Sequence, residues 1–358
     1  MNEFSILIPT YNEKDNILDL IQEIHETLIS YEYEIIIIDD NSPDKTAEIV
    51  KAYAANKTER VICIERTWQK GLSSGIIEGM AVANAPLVVV MDGDGQHDPK
   101  NIIKLLEAQK NASLDLVIGS RFLTKEYATG LSNNRSILSK IGIALTKPFI
   151  SKIITDPLTG FFLIKRQILQ KLQKQIYKDG FKILFDILML DKNLKLREIQ
   201  INFRDRKLGD SKLNLSTLAH LLGQIVENLS YGIIPSTFFV FSFIGSLGVL
   251  VHLISLYLLL DAGITYIISN FFGSALALTS NYFLNNYLTF NNLHNTIRKK
   301  IAGLFKYSVF NSLSLVVNIG VASFLYLDSF SIAISTLLGI TSGLLLNYFL
   351  SRNIVFKL

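Results

Sequence analysis

The chain has 358 residues, a formal net charge of +4 and 49% hydrophobic residues, with a mean hydropathy of +0.33. It is too long for one ordinary domain and too apolar for a wholly soluble protein. The weak charge, with no continuous basic tract, excludes a nucleic-acid arm, and the single cysteine, Cys63, excludes an intrachain disulfide or a cysteine cluster for zinc.

From the N-terminus, apolar strands alternate with amphipathic helices: "FSILIP", a helix from about Lys14 to Ser30, "YEIIIIDD", a helix from about Lys45, "VICIE", a helix from about Ser73, then "PLVVVMD". The opening run is strand-like rather than a basic segment followed by an apolar signal, so this domain is expected in the cytoplasm. Continuous apolar strands alternating with helices predict a mainly parallel sheet covered on both faces. Ligands of such sheets gather beyond the carboxyl ends of the strands. Three polar clusters fall there: "PTYNE" from Pro9 to Glu13, "DDNSPD" from Asp39 to Asp44, and "DGDGQHD" from Asp92 to Asp98.

In the third cluster Asp92 and Asp94 stand one residue apart. Like charges that close need a cation or a hydrogen-bonding network to stay ionised together. A nucleotide sugar would use all three clusters: Asp40 and Glu13 suit its base and ribose, while Asp94 and Gln96 suit Mg²⁺ or Mn²⁺ carrying the diphosphate. A dinucleotide-binding loop is disfavoured because Asp98 follows Gly93 and Gly95, and carboxylates oppose an unshielded pyrophosphate. A Walker loop is absent. His97 stays outside the expected catalytic set.

Residues 121 to 213 are less regular. In "NNRSILSKIGIALTKPFISKII", Arg135 and Ser139 share one helical face, with Ile137, Ile141, Ala144 and Leu145 elsewhere. In "NLSTLAHLLGQIVENLSYGII", Leu215, Leu218, Leu222, Ile225 and Leu229 form an apolar stripe. Both segments are expected at the lipid interface. From Ser236 onward four apolar stretches, roughly 237 to 260, 264 to 288, 303 to 327 and 330 to 350, each reach the ~20 residues that cross a bilayer. Arg298, Lys299, Lys300, Lys306, Arg352 and Lys357 cluster in the central connection and at the C-terminus. The positive-inside rule puts these segments, the first domain and both termini on the cytoplasmic side. The stretches also repeat: Asn281 and Phe290 match Asn347 and Phe356, 66 residues on, predicting two tandem hairpins of the same orientation. Asn281 and Asn347 are expected to bond between helices.

"PTYNE", "DDNSPDKT", "MDGDGQHDP", "GSRF", "DPLTGFF", "GFKI" and "FRDRKLGDSKL" occur in order. Together they resemble the family 2 glycosyltransferases that load sugar onto a polyprenyl phosphate, the dolichyl-phosphate mannose synthases in particular. The C-terminal region is similar to the GtrA-like membrane domain of four helices. The resemblance implies an α/β GT-A fold, Rossmann-like, over 1–213, an interfacial helix over 214–235, and a four-helix transmembrane domain over 236–358. It implies that Pro9, Tyr11 and Glu13 with Asp40 line the nucleoside site. Asp92, Gly93, Asp94 and Gln96 would serve diphosphate and metal, with Asp94 and Gln96 as metal ligands. Lys182 would face the nucleotide sugar, Arg206 and Lys212 would clamp its diphosphate, and Arg121, Arg135 and Ser139 would receive the lipid phosphate. Asp92, Asp94 and Arg206 make up the implied catalytic group. Gly93 and Gly95 stand where many such synthases have Ala and Leu, and Ser73-Ser74 replaces a usual Gly-containing pair.

The expected reaction is inverting transfer of mannose from GDP-mannose to dolichyl or polyprenyl phosphate at the edge of a lipid bilayer. The rival donor is UDP-glucose, and a lipid-linked sugar flippase is the rival of another class. The acceptor phosphate is already anionic, so no strong general base is needed; the work is electrostatic, done by metal, Arg and Lys.

Overall fold

The computed structural model describes residues 2–57, 60–67, 71–123, 133–150, 154–176, 180, 182–204, 215–290 and 294–356. The chain divides into two compact units, Met1–Leu213 and Asn214–Leu358.

The first unit is built on strands β1 (Phe4–Thr10), β2 (Tyr33–Asp39), β3 (Val61–Glu65), β4 (Leu87–Val90), β5 (Leu116–Ser120), β6 (Phe162–Lys165) and β7 (Leu196–Gln200). They form one sheet in the order β3-β2-β1-β4-β6-β5-β7. The helices of this unit are α1 (Ile17–Thr27), α2 (Thr46–Lys57), α3 (Leu72–Val82), α4 (Lys100–Ala112), α5 (Asn133–Thr146), α6 (Arg166–Leu172) and α7 (Ile183–Leu190). Strands β1 and β2 are buried almost throughout because each face has its own core. Ile6, Ile8, Ile35, Ile37 and Val89 point to one side with Ile17, Ile21 and Leu105. Leu7, Ile36, Ile38, Val88 and Val90 point to the other with Ile76, Met80 and Leu184. The two-residue side-chain period thus explains the unbroken apolar strands.

The sheet is mixed rather than wholly parallel. β6 runs antiparallel between β4 and β5, pairing Val90 with Phe162 and Ile118 with Phe162, while β5 and β7 are parallel. This strand lies in the stretch whose sequence is least regular. At four residues it is too short to display a period.

The second unit holds α8 (Leu215–Leu229), α9 (Ser236–Asp261), α10 (Tyr266–Leu284), α11 (Ile297–Leu327) and α12 (Ile332–Leu350). Where four spans are expected, α9 and α11 are, among the described residues, the two helices long and apolar enough to cross a membrane. Val249, Leu250, Ile254 and Leu258 of α9 stay more than half exposed, as expected of side chains that face lipid rather than water. On α8 the inward face is Leu221, Gln224 and Ile225, whereas Leu222 and Leu229 of the expected stripe remain exposed.

The 66-residue recurrence reappears in the packing. A Cβ on Gly273 would stand 3.1 Å from the His252 carbonyl oxygen, and one on Gly339 would stand 2.6 Å from that of Asn318. Each hairpin therefore closes at a glycine facing a backbone carbonyl. Two π-helical turns, Asn285–Thr289 and Ser351–Val355, follow α10 and α12, and the residues that end them, Phe290 and Phe356, stack at 4.2 Å between ring centroids. Asn347 donates to Asn311 Oδ1 at 3.2 Å between α12 and α11. Asn281 lies against Gly248, where no side chain would fit.

Candidate active site

Three loops leave the same edge of the sheet because β1, β2 and β4 are parallel neighbours in register: Thr10 lies beside Asp39, and Leu7 beside Val90. The first two loops interlock. Asp39, fully buried, accepts from the Thr10 hydroxyl at 3.1 Å, and from the Ser42 N–H at 2.9 Å and hydroxyl at 2.5 Å. Asn12 N–H donates to Ser42 Oγ and Glu13 N–H to Thr46 Oγ1. Of the two adjacent carboxylates, Asp39 thus ties loops together and Asp40, only half-buried, takes different partners. Asp40 accepts the Gly71 N–H at 2.8 Å and the Arg66 guanidinium. Burial pushes the Asp40 carboxyl above its ordinary value, against the pull of Gly71 and Arg66. Pro9 is half-buried at the end of β1, Tyr11 is exposed and Glu13 is buried.

The third loop turns on two glycines. Gly95 has φ +74° with open space around it, and a Cβ on Gly93 would press to 2.9 Å from Thr10 Cγ2. Gly93 therefore brings this turn against the first loop, and Gly95 supplies the left-handed backbone. Asp94 and Gln96 are buried, and the Gln96 N–H caps Asp94 Oδ1 at 3.1 Å. The Gln96 amide nitrogen donates to the Arg204 carbonyl at 3.1 Å, while the Arg204 N–H returns a bond of 2.9 Å to the Gln96 carbonyl. That pairing directs the amide oxygen, the atom able to bind a cation, away from Arg204. Arg204 is gripped in turn by Glu23 at 2.7 Å and Asp98 at 2.9 Å.

Asp92 is held from two directions. His97, stacked on Phe161 at 5.0 Å, donates from Nε2 to Asp92 Oδ2 at 3.3 Å. A Cβ on Gly160 would meet the Asp92 carboxylate at 2.5 Å. Burial raises this carboxyl, but His97, Lys182 and Arg121 outweigh it and hold it well below the usual carboxylate range. Lys182, which precedes α7, has its ammonium pushed down by burial, opposed by the charge of Asp92. Arg121 is clamped by fully buried Asp156, Nε to Oδ2 at 2.7 Å and Nη2 to Oδ1 at 2.9 Å. Behind this pair Glu198 accepts from the backbone of Thr155 and Asp156, and its own carboxyl is raised by burial.

Asp92, Lys182 and Arg121 thus lie close enough for their charges to act on one another, with Asp94 and Gln96 on the same turn as Asp92 and Asp40 on a neighbouring loop. Ser139 is buried on α5. Arg135 belongs to α5, but its side chain lies outside the described residues, as do Arg206 and Lys212. Sequence reasoning gave no role to Arg66, His97, Asp156, Gly160, Glu198 or Arg204. Asp156 and Gly160 stand inside "DPLTGFF" and His97 inside the acidic turn, so their signal was position within a motif. Arg66 offered none, since a lone arginine after a strand reads as a surface charge.

Among the described residues no group of three or more His, Cys, Asp or Glu is placed to hold a metal. The oxygen donors Asp94 and Gln96 fit a hard divalent ion that takes its remaining ligands from water and phosphate.

Residues 5–173 match the glycosyl transferase family 2 profile and residues 240–356 the GtrA/DPMS transmembrane domain. The dolichol-phosphate mannosyltransferase of Pyrococcus furiosus is 34% identical over 98% of this chain and 98% of its own length. Those of Mycosarcoma maydis and Saccharomyces cerevisiae are 31% and 30% identical, covering 65% and 63% of this chain and 82% and 86% of theirs. With a matched catalytic region, a matched membrane region and a relative aligned nearly end to end, the chain belongs to the dolichol-phosphate mannosyltransferase family of glycosyl transferase family 2 glycosyltransferases.

Proposed function

We propose that this chain transfers mannose from GDP-mannose to dolichyl or another polyprenyl phosphate with inversion at the anomeric carbon. The observation that carries the reading is the convergence on one acidic turn at the sheet edge of Asp92, bonded by His97 and within electrostatic reach of Lys182 and Arg121, with the oxygen donors Asp94 and Gln96, in a chain aligned with a dolichol-phosphate mannosyltransferase over nearly its whole length.

Asp40, with Pro9, Tyr11 and Glu13, holds the nucleoside. Asp94 and Gln96 hold Mg²⁺ or Mn²⁺, which when bound neutralises diphosphate charge. Asp92 orients the sugar through its hydroxyls, and Gly93 lets the turn approach. Lys182, Arg206 and Lys212 supply positive charge toward the departing diphosphate. Among the described residues Asp156 takes Nε and Nη2 of Arg121, which leaves Nη1 to meet the lipid phosphate, and Arg135 and Ser139 of α5 complete that acceptor site. A phosphate oxygen attacks the anomeric carbon as the bond from that carbon to the diphosphate oxygen breaks, and the bonding pair leaves with GDP. Phosphate carries its charge at neutral pH, so no base removes a proton. The second unit anchors the protein through four spans, with the catalytic unit and the basic residues Arg298, Lys299, Lys300, Lys306 and Arg352 on the cytoplasmic side.

The test is transfer by purified full-length protein in detergent, with and without chelator. Asp94→Ala and Gln96→Ala are expected to abolish metal-dependent transfer while the melting temperature stays near that of the parent. Full activity of either variant in chelator overturns the metal assignment.

A further inference from the structure

Arg66 directly follows β3 and is 4% exposed, yet it takes no part in the chemistry derived above. Its guanidinium is used on every side. Nη1 donates to Asp40 Oδ1 and, at 3.0 Å, to the Gly71 carbonyl; Nη2 donates to Ser74 Oγ at 2.6 Å; Nε donates to Glu78 Oε2 at 2.9 Å. Gly71, whose carbonyl it holds, returns its own N–H to the other oxygen of Asp40 at 2.8 Å. The backbone joins in, with Arg66 N–H donating to the Asp39 carbonyl at 2.8 Å. Helix α3 makes room for the group with a glycine, since a Cβ on Gly75 would stand 2.9 Å from Nη1.

Each Asp40 oxygen therefore carries one protein N–H, and each retains acceptor capacity for a ligand. A free carboxylate would rotate about its Cβ–Cγ bond, and ordering it on binding would cost affinity; one held from two sides is preorganised. The bond to a cation also opposes the upward push of burial on the Asp40 carboxyl.

We propose that Arg66 is a positioning residue for nucleotide recognition: by fixing the plane of the Asp40 carboxylate it sets donor affinity without touching the donor. The inference rests on the reading of Asp40 as a nucleoside ligand.

The experiment is calorimetric titration of GDP, in Mn²⁺, into the full-length protein in detergent. The chains compared are the parent, Asp40→Asn, Arg66→Gln, Arg66→Lys, the double variant Asp40→Asn/Arg66→Gln, and Gly75→Ala, which crowds Nη1 without removing the charge. Donor and lipid-phosphate KM and kcat are measured in parallel. Asp40→Asn and Arg66→Gln are each expected to weaken GDP by about tenfold or more, the loss of a hydrogen bond to a charged group. The double variant should be no weaker than the poorer single variant, because both act through one carboxylate. Arg66→Lys should recover part of the loss, and kcat and the KM for lipid phosphate should stay within about twofold of the parent. If Arg66→Gln does not fold, Gly75→Ala is expected to give the same donor-specific loss. GDP affinity unchanged in Arg66→Gln or Gly75→Ala while Asp40→Asn weakens it overturns the positioning role and leaves the nucleoside reading intact. Additive losses in the double variant, or an equal fall in kcat, overturn it as well. No loss in Asp40→Asn instead removes the nucleoside reading itself.

Discussion

Asp92 has His97 on one side of its carboxylate and the backbone of Gly160 on the other, so its position is set by contacts rather than by a choice of rotamer. Gly160→Ala would drive a methyl group to 2.5 Å from Oδ1, and the carboxylate would have to move. A shift near 1 Å at a reacting centre costs about 100-fold in rate, and that loss in kcat/KM is the expected result, read in a transfer assay beside a melting curve. Activity near that of the parent would mean that Asp92 does not meet the substrate. Asp156 acts differently. It is fully buried and neutralises Arg121 through two short bonds, so Asp156→Asn leaves a buried cation half partnered. Breaking such a pair costs about 3–5 kcal/mol, and denaturant unfolding should show a loss of that order. The acidic turn was legible in the sequence because two carboxylates beside a buried strand need a cation or a hydrogen-bonding network. His97 was not, because a single histidine in a turn carries no sign of the aspartate and the phenylalanine it will pack between.

At the scale of elements, the alternation of apolar strands with helices foretold β1 to β4 and the edge at which their loops meet. What it did not foretell is β6, four residues long and running against its neighbours. It is the strand that carries "DPLTGFF" back across the sheet and lays Gly160 and Phe161 beside the β4 turn. A long connection that returns antiparallel leaves no periodic trace, so half of the site's scaffold was invisible even though its motif was quoted. The tandem hairpins were legible by the opposite route, since a repeat compares the sequence with itself, while of the four spans expected from apolar length α9 and α11 qualify among the described residues. The repeat's physical meaning is the contact of Gly273 and Gly339 with carbonyls of the facing helices. The gaps differ, 3.1 Å against 2.6 Å, so Gly339→Ala is expected to destabilise the second unit more than Gly273→Ala, by about 1–3 kcal/mol for the overpacked position. Thermal melting in detergent reads the order, and a reversed order would mean that the two hairpins do not close alike.

On the scale of the whole molecule, the composition already separated a charged first part from an apolar one beginning near residue 236, whereas the chain divides after Leu213, so that amphipathic α8 belongs to the second unit. A water-soluble activated sugar and a lipid phosphate have no common solvent, and joining a sheet-edge anion site to membrane helices answers that difficulty in one chain. Of three residues assigned to the two phosphates, Arg206 and Lys212 were reached through a motif and Arg135 through its place beside Ser139 on an amphipathic face, because long basic side chains leave no packing signature in a sequence. The account therefore stands on the product rather than on any one of them. The most direct measurement is to incubate the purified full-length protein with labelled GDP-mannose, dolichyl phosphate and Mn²⁺, isolate the glycolipid and determine its anomeric configuration. The account predicts a mannosyl phospholipid of β configuration, inverted from the α-linked donor. A product of α configuration, or transfer from UDP-glucose with none from GDP-mannose, would contradict it.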